Sequence, residues 1–192
     1  MTIPEKKARQ RAEGIAARQA IAGAERVEKN REIARRVMQL PEFDSAKVVF
    51  SYCAVRGVAD PALIDRAARD LGKQVAYPVC CGGGRMFAAV PDAPEAMQRG
   101  LYGILTPVPG HYRIVSPVRI DLALVPCTAF DSRCLRLGMG SGYYDRYLRL
   151  CTHSFAVALA FEVQKVFFCA AERHDLFLDA AATEAQLYRR LR

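Results

Sequence analysis

The sequence has no tryptophan and only three histidines, and no run in it approaches ~18 consecutive apolar residues, which predicts no membrane-spanning helix. It has no C-x-x-C spacing, although it holds seven cysteines: Cys53, Cys80, Cys81, Cys127, Cys134, Cys151 and Cys169. An odd count with Cys80 and Cys81 adjacent suits neither a disulfide framework nor a zinc pattern, so the cysteines read as reduced thiols behaving as small hydrophobes. His111, His153 and His174 form no H-E-x-x-H and have no Cys or His neighbour at ligand spacing. No internal repeat or low-complexity segment is visible. The first twenty residues lack the apolar stretch of a secretory signal and a twin-arginine motif, which predicts a cytoplasmic protein.

What is present suits a folded chain. The 192 residues are 52% hydrophobic and 25% charged, with a mean hydropathy of +0.00, and their length predicts one domain spanning 1–192. The net charge of +8 sits at the termini. Residues 1–36 hold ten Lys or Arg against five Asp or Glu, the last four residues add Arg189, Arg190 and Arg192, and residues 37–184 are balanced. A basic start is compatible with a solvated helix face, an anionic ligand or nucleic acid. The neutral body and the absence of RRM, KH or zinc-knuckle patterns argue against nucleic acid.

The pattern predicts helices over 5–20 and 25–40, the second through Val27, Ile33, Val37 and Leu40, with Pro41 just past its end. A strand over 47–52 follows. Asp60 and Pro61 then read as N-cap and first helical residue of a helix that runs to Leu71 and stops at Gly72. Strands over 74–78 and 85–90 flank a turn at Cys81–Gly84. Five prolines between 91 and 118 predict mostly loop. Residues 120–126 are nearly all apolar and read as a central strand buried on both faces. A loop over 127–142, a helix over 143–150 and strands over 155–160 and 176–181 complete the chain. Helices alternating with apolar strands predict α/β layers around a mostly parallel sheet. Chemistry is then expected beyond the carboxyl ends of the strands, in the loops after Tyr52, Val125 and Ala160.

The most unusual stretch is Arg136-Leu-Gly-Met-Gly-Ser-Gly-Tyr-Tyr-Asp-Arg146, with glycines at 138, 140 and 142 between a buried strand and a helix. Such spacing lets successive backbone N–H groups face one anion, with Arg136 at the rim and Asp145 placed to hold a metal. It has neither the Gly-Lys-Ser/Thr of a Walker A loop nor the G-x-G-x-x-G of a dinucleotide fold.

Together with its flanks, residues 120–126 and Ala129-Phe-Asp131, this segment resembles the signature of the 5-formyltetrahydrofolate cyclo-ligases (5,10-methenyltetrahydrofolate synthetases). Lys7-x-x-x-Arg11, Lys73–Pro78, Gly103–Pro107, Ala158–Gln164, His174-Asp175 and Thr183-Glu184 are similar to that family in order. The resemblance implies a three-layer α/β/α sandwich with an N-terminal helical pair. It also implies a monomeric ligase of one-carbon metabolism that uses Mg²⁺ and ATP to cyclise 5-formyltetrahydrofolate to 5,10-methenyltetrahydrofolate, releasing ADP and phosphate. Neither nucleic acid nor membrane is an implied partner.

By the same resemblance, Lys7, Arg11, Arg136, Leu137, Gly138, Met139, Gly140, Ser141, Gly142, Tyr143 and Tyr144 would bind ATP. Arg11, Tyr52, Gly57, Met139, Gly140, Ser141, Gly142 and Tyr143 would bind the folate, and Asp145 and Asp175 would hold Mg²⁺. The residues alone leave other roles open: an N-cap for Asp175, a helix-dipole charge for Asp145 and a solvated pair for Lys7 and Arg11. Three positions depart from the family pattern. Ser141 stands where glycine or a basic residue is usual, and Cys127 replaces a common glycine. Gly57 and Asp60 stand where the family has an acidic folate contact followed by threonine. A Glu at 57 is therefore expected to preserve or raise activity, and the alternative is a folate- or nucleotide-binding paralogue without turnover.

Overall fold

A computed structural model describes residues 1–191; Arg192, one of the terminal arginines counted above, lies outside the described residues. The helices are α1 (Ile3–Gln19), α2 (Gly23–Met38), α3 (Pro41–Ser45), α4 (Ala62–Asp70) and α5 (Tyr143–Leu148). The first six strands are β1 (Val48–Phe50), β2 (Gln74–Cys80), β3 (Met86–Pro91), β4 (Met97–Arg99), β5 (Leu105–Pro107) and β6 (Tyr112–Val115). The remaining six are β7 (Leu122–Pro126), β8 (Ala129–Phe130), β9 (Arg136–Leu137), β10 (Phe155–Leu159), β11 (Ala180–Ala182) and β12 (Leu187–Arg189). Among the described residues, no helix is long and apolar enough to cross a membrane.

Eight strands form one sheet in the order β12-β11-β10-β7-β1-β2-β3-β6. Strands β11, β10, β7, β1 and β2 are parallel, while β12 and β3 run antiparallel beside them and β6 antiparallel to β3. The apolar run at 120–126 becomes β7 at the sheet's centre, with Leu122, Ala123, Leu124 and Val125 fully buried. Complete burial of such a Leu or Val contributes about 1.5–3 kcal/mol. One face of the sheet packs on Ile33, Ala34 and Val37 of α2 and Ile64 and Ala68 of α4. The other packs on Tyr147 and Leu148 at the end of α5. These are the layers expected of an α/β/α arrangement.

Several local expectations need correction. The expected N-terminal helical pair is α1 and α2, which differ in what they pack on: α2 meets α3, α4 and β11, whereas α1 meets β8, β9 and the short turn at Glu162–Gln164. The side chains that α1 buries are Lys7 and Arg18, with Gly14 between them, so its buried stripe is polar and suits a site more than a core. Val27 is exposed, because its spacing from Ile33 turns it off the buried face of α2. Pro41 opens α3 and does not simply follow a helix end. The proline-rich 91–118 stretch holds β4, β5 and β6, since short edge and hairpin strands tolerate proline at their ends. The 127–142 loop holds the β8–β9 pair. The expected last strand starts later, as β11, and β12 returns antiparallel beside it.

Candidate active site

Loops leaving the carboxyl ends of β1, β2 and β7 open onto one cavity of about 1070 Å³, closed on one side by α1 and on another by the 136–146 segment. Helix α1 starts cleanly because Thr2 and Glu5 form a capping box. It lies very close to the end of β7: a Cβ on Gly14 would stand 2.0 Å from the Thr128 carbonyl oxygen. Only glycine permits that approach, and it brings the cations of α1 into the cavity. This close contact left no pattern in the sequence.

Lys7 is 5% exposed. Its Nζ lies 2.6 Å from Glu172 Oε2 and 2.6 Å from Asp175 Oδ2. Burial alone lowers the Lys7 pKa, but hydrogen bonds to Asp175 and Glu172 outweigh it, and the net direction is upward. For Asp175, burial pushes upward, and the Lys7 hydrogen bond and the Glu172 amide overcome it, leaving the carboxyl below its ordinary value. Asp175 also accepts from the Glu172 backbone N–H at 2.7 Å. One turn along α1, Arg11 Nε donates to the Gly138 carbonyl at 2.8 Å, so the two basic residues converge, as their spacing predicts.

Arg136 is buried, and one of its guanidinium nitrogens donates to Asp145 Oδ1 at 2.9 Å; its Nε has no protein partner. Gly140 and Gly142 adopt φ of +101° and +68°, and Gly142 is the N-cap of α5. That helix is only six residues long, shorter than the sequence predicts. Arg146 crosses the segment, its Nε donating to the Gly84 carbonyl at 2.9 Å and another nitrogen to the Ser141 carbonyl. Met139 is exposed, and the Tyr143 ring meets Tyr102 edge-on at 6.4 Å. Leu137, Gly138, Ser141 and Tyr144 also line the cavity, as does buried Tyr52, whose hydroxyl donates to the Ala59 carbonyl at 2.5 Å.

Gly57 alone among the expected site residues does not line the cavity; its neighbours Val55, Arg56 and Val58 do. Its φ is +73°, and a Cβ there would stand 2.8 Å from an Arg26 nitrogen. Arg26 donates to the Gly57 carbonyl at 2.7 Å and to the Arg18 and Ile21 carbonyls at 2.8 and 3.1 Å. Gly57 is therefore the seat of a clamp between the β1 loop and the end of α1, held by Arg26. Asp60 does not line the cavity, and its Oδ1 accepts from the Ala62 N–H at 3.0 Å. Helix α4 begins one residue later than expected, with Pro61 in the N-cap position.

Residues missed in the sequence also line this cavity. Leu101, Tyr102 and Leu105 are exposed apolar side chains from the proline-rich stretch. Tyr102 sits at φ +62°, a conformation rare outside glycine. Glu172, His174 and Asp175 bring one ligand atom each within 4.8 Å of one another, so His174 does have carboxylate neighbours, though no second His or Cys. Cys127 is buried with its thiol pushed up to about 12 by burial. It packs as a small hydrophobe.

The structure is an α/β protein with a cationic ligand cleft beyond the carboxyl ends of its parallel strands. Its sequence matches the 5-formyltetrahydrofolate cyclo-ligase family over residues 3–184, and the chain belongs to that family. It is 27% identical over 176 residues to the 5-formyltetrahydrofolate cyclo-ligase of Escherichia coli K12, covering 89% of this chain and 96% of that protein. A probable 5-formyltetrahydrofolate cyclo-ligase of Schizosaccharomyces pombe is 34% identical over 120 residues, 60% of this chain and 58% of that one. An NMR structure of Aquifex aeolicus 5,10-methenyltetrahydrofolate synthetase superposes with a TM-score of 0.84 at 28% identity, covering 95% of this chain and 92% of that one. The Mycoplasma pneumoniae 5,10-methenyltetrahydrofolate synthetase, at 20% identity and a TM-score of 0.76, shares the fold.

Proposed function

We propose that this protein, acting as a monomeric single domain over residues 1–192 in the cytoplasm, converts 5-formyltetrahydrofolate to 5,10-methenyltetrahydrofolate with consumption of ATP. The observation that carries this reading is the meeting of Lys7 and Arg11 with Arg136–Tyr144 around one cavity of about 1070 Å³, in a chain of this family. That volume is at the upper end of small-molecule sites, which run to roughly 1,000 Å³, and is suited to two co-substrates.

The formyl oxygen attacks the γ-phosphorus of ATP, the new O–P bond forms and ADP leaves. The neighbouring folate nitrogen then attacks the activated formyl carbon and releases its proton to solvent, the C–O bond breaks, inorganic phosphate departs and the ring closes as a C=N⁺ bond. Such transfer needs alignment and charge neutralisation more than covalent help. Arg11, Arg136 and the backbone amides of 138–142 bind the phosphates, and Lys7 orients the Asp175 carboxylate beside them. Tyr143, Met139 and the apolar side chains Leu101, Tyr102 and Leu105 cover the folate ring and exclude water.

The hard carboxylate oxygens of Asp145 and Asp175, with Glu172 beside the latter, suit Mg²⁺ held jointly with phosphate. Asp145 engages Arg136 through Oδ1, and Asp175 engages Lys7 through Oδ2, with its Oδ1 3.9 Å from His174 Nε2. Mg²⁺ held there would neutralise charge on the transferring phosphoryl group. One second reading keeps support: no acidic residue of the β1 loop lines the cavity, which suits ligand binding without turnover. Mixing the protein with 5-formyltetrahydrofolate and Mg-ATP, and following methenyl absorbance with each component omitted in turn, decides between them. Product above the no-enzyme control is expected, and its absence with both ligands bound favours the second reading.

A further inference from the structure

The basic residues of α1 do not all serve one ligand group. Lys7, Arg11 and Arg18 share one stripe of the helix with Gly14. At 1.5 Å per residue, Arg18 lies about 16 Å beyond Lys7 along the axis, too far for one phosphate group to touch both.

The two ends differ in how charge is met. Lys7 has two carboxylates, whereas Arg18, 1% exposed, has none within ion-pair distance among the described residues. Its single hydrogen bond runs to the Cys127 carbonyl at 3.1 Å, which already accepts from Gln164 Nε2 at 3.2 Å, and its own Nε has no acceptor. The carbonyls at the end of α1 could offer partial negative charge, but Arg26 occupies those of Arg18 and Ile21. The charged groups that act on Arg18 include Arg26 and Arg56, both of its own sign, and burial lowers its pKa. A guanidinium stays protonated all the same, and one shared carbonyl does not offset an unpaired buried charge. Arg18 and Arg56 both line the cavity, and Arg56 makes no ion pair among the described residues.

We infer that Arg18, with Arg56 at the rim, forms a second anion subsite of the cavity, distinct from the phosphate end, and that its ligand is a carboxylate of the co-substrate. A guanidinium donates to a carboxylate through two parallel N–H bonds. On the proposed function, on which this inference rests, that carboxylate belongs to the glutamyl tail of the folate. Arg26 is the positioning residue, because it fastens the loop bearing Arg56 to the helix bearing Arg18.

The test titrates wild type, Arg18→Met and Arg18→Lys calorimetrically with each of three ligands alone. These are Mg-ATP, 5-formyltetrahydrofolate, and a 5-formyltetrahydropterin lacking the benzoylglutamate; melting temperatures are recorded in parallel. The expected result is at least tenfold weaker binding of 5-formyltetrahydrofolate by Arg18→Met, partly restored in Arg18→Lys. Tail-less pterin and Mg-ATP should stay within twofold, with a melting temperature equal to wild type or higher. Equal weakening of both pterin ligands overturns the inference in favour of a ring contact, and selective weakening of Mg-ATP overturns it in favour of phosphate. A lowered melting temperature with uniform loss marks Arg18 as a packing residue. Tight folate binding that depends on Arg18, without methenyl product, removes the proposed reaction and keeps this subsite. Product formation with unchanged binding in Arg18→Met does the reverse, and a wild type that does not bind 5-formyltetrahydrofolate removes both.

Discussion

The two ends of the α1 stripe place a buried cation in opposite circumstances. Lys7 is held by Glu172 and Asp175, so its charge is settled within the protein before any ligand arrives. Arg18 has a lone, shared carbonyl and is settled only when an anion enters. A pair formed inside the protein fixes geometry, whereas an unpaired charge facing a cavity creates affinity. Asp65 of α4 supplies a useful contrast. It is buried too, and burial pushes its carboxyl to about 6, above the ordinary 3.8, against the hydrogen bond from the Tyr77 hydroxyl. A carboxylic acid escapes an unpaired charge by taking a proton; a guanidinium has no such exit.

The largest expected effect lies at the paired end. On the proposed function, Asp145→Asn removes a negative charge that would hold Mg²⁺, and turnover at saturating Mg-ATP is expected to fall at least about 100-fold. A rate near wild type at limiting Mg²⁺ would reduce Asp145 to a partner of Arg136. Next comes the direct comparison. Lys7→Met leaves Asp175 without its cation and should lower stability by roughly 2 kcal/mol, whereas Arg18→Met should leave melting unchanged or raise it. Equal losses in thermal denaturation would erase the distinction between the two ends.

Asp65 gives a pH signature of about the same size. Its folded value lies above its unfolded one, so the stability it contributes is complete below pH 3.8 and lost as pH rises through about 6. Asp65→Asn keeps an acceptor for the Tyr77 hydroxyl and should stabilise the protein above pH 6 by roughly 2 kcal/mol, flattening the fall between those values in urea titrations. An unchanged pH profile would show that the network stabilises the carboxylate. The smallest effect concerns the clamp beside Arg18. Gly57→Ala and Gly57→Glu should each cost about 1–2 kcal/mol, since φ is +73° and the Arg26 guanidinium fills the space of a Cβ. Both should weaken folate binding more than ATP binding, and a gain of turnover in Gly57→Glu alone would restore the substrate contact expected from family resemblance.

Much of the frame was legible because it rests on local pattern. The apolar run at 120–126 could only be a doubly buried strand, and it became β7. The alternate glycines of 138–142 marked the cavity wall, and the four-residue spacing of Lys7 and Arg11 put both on one helix face. Where local pattern misled, tertiary packing had the deciding vote. The prolines of 91–118 hid three strands, one of which completes the sheet edge. Nothing in the spacing around position 57 showed that its carbonyl accepts from Arg26, 31 residues earlier.

Composition and periodicity alone determined the layers, the central strand and the glycine-rich turn at 138–142, because each depends on residues close in sequence whose burial or backbone freedom is set by their own type. Which buried charge has a partner is a different kind of fact. Lys7 meets residues 165 and 168 positions away, and Arg18 meets only a strand-end carbonyl because Gly14 lets α1 lie against Thr128. A buried charge is compensated by groups in direct hydrogen-bonding contact with it. Such compensation is therefore settled by the final packing of distant segments, and no spacing along the chain records it.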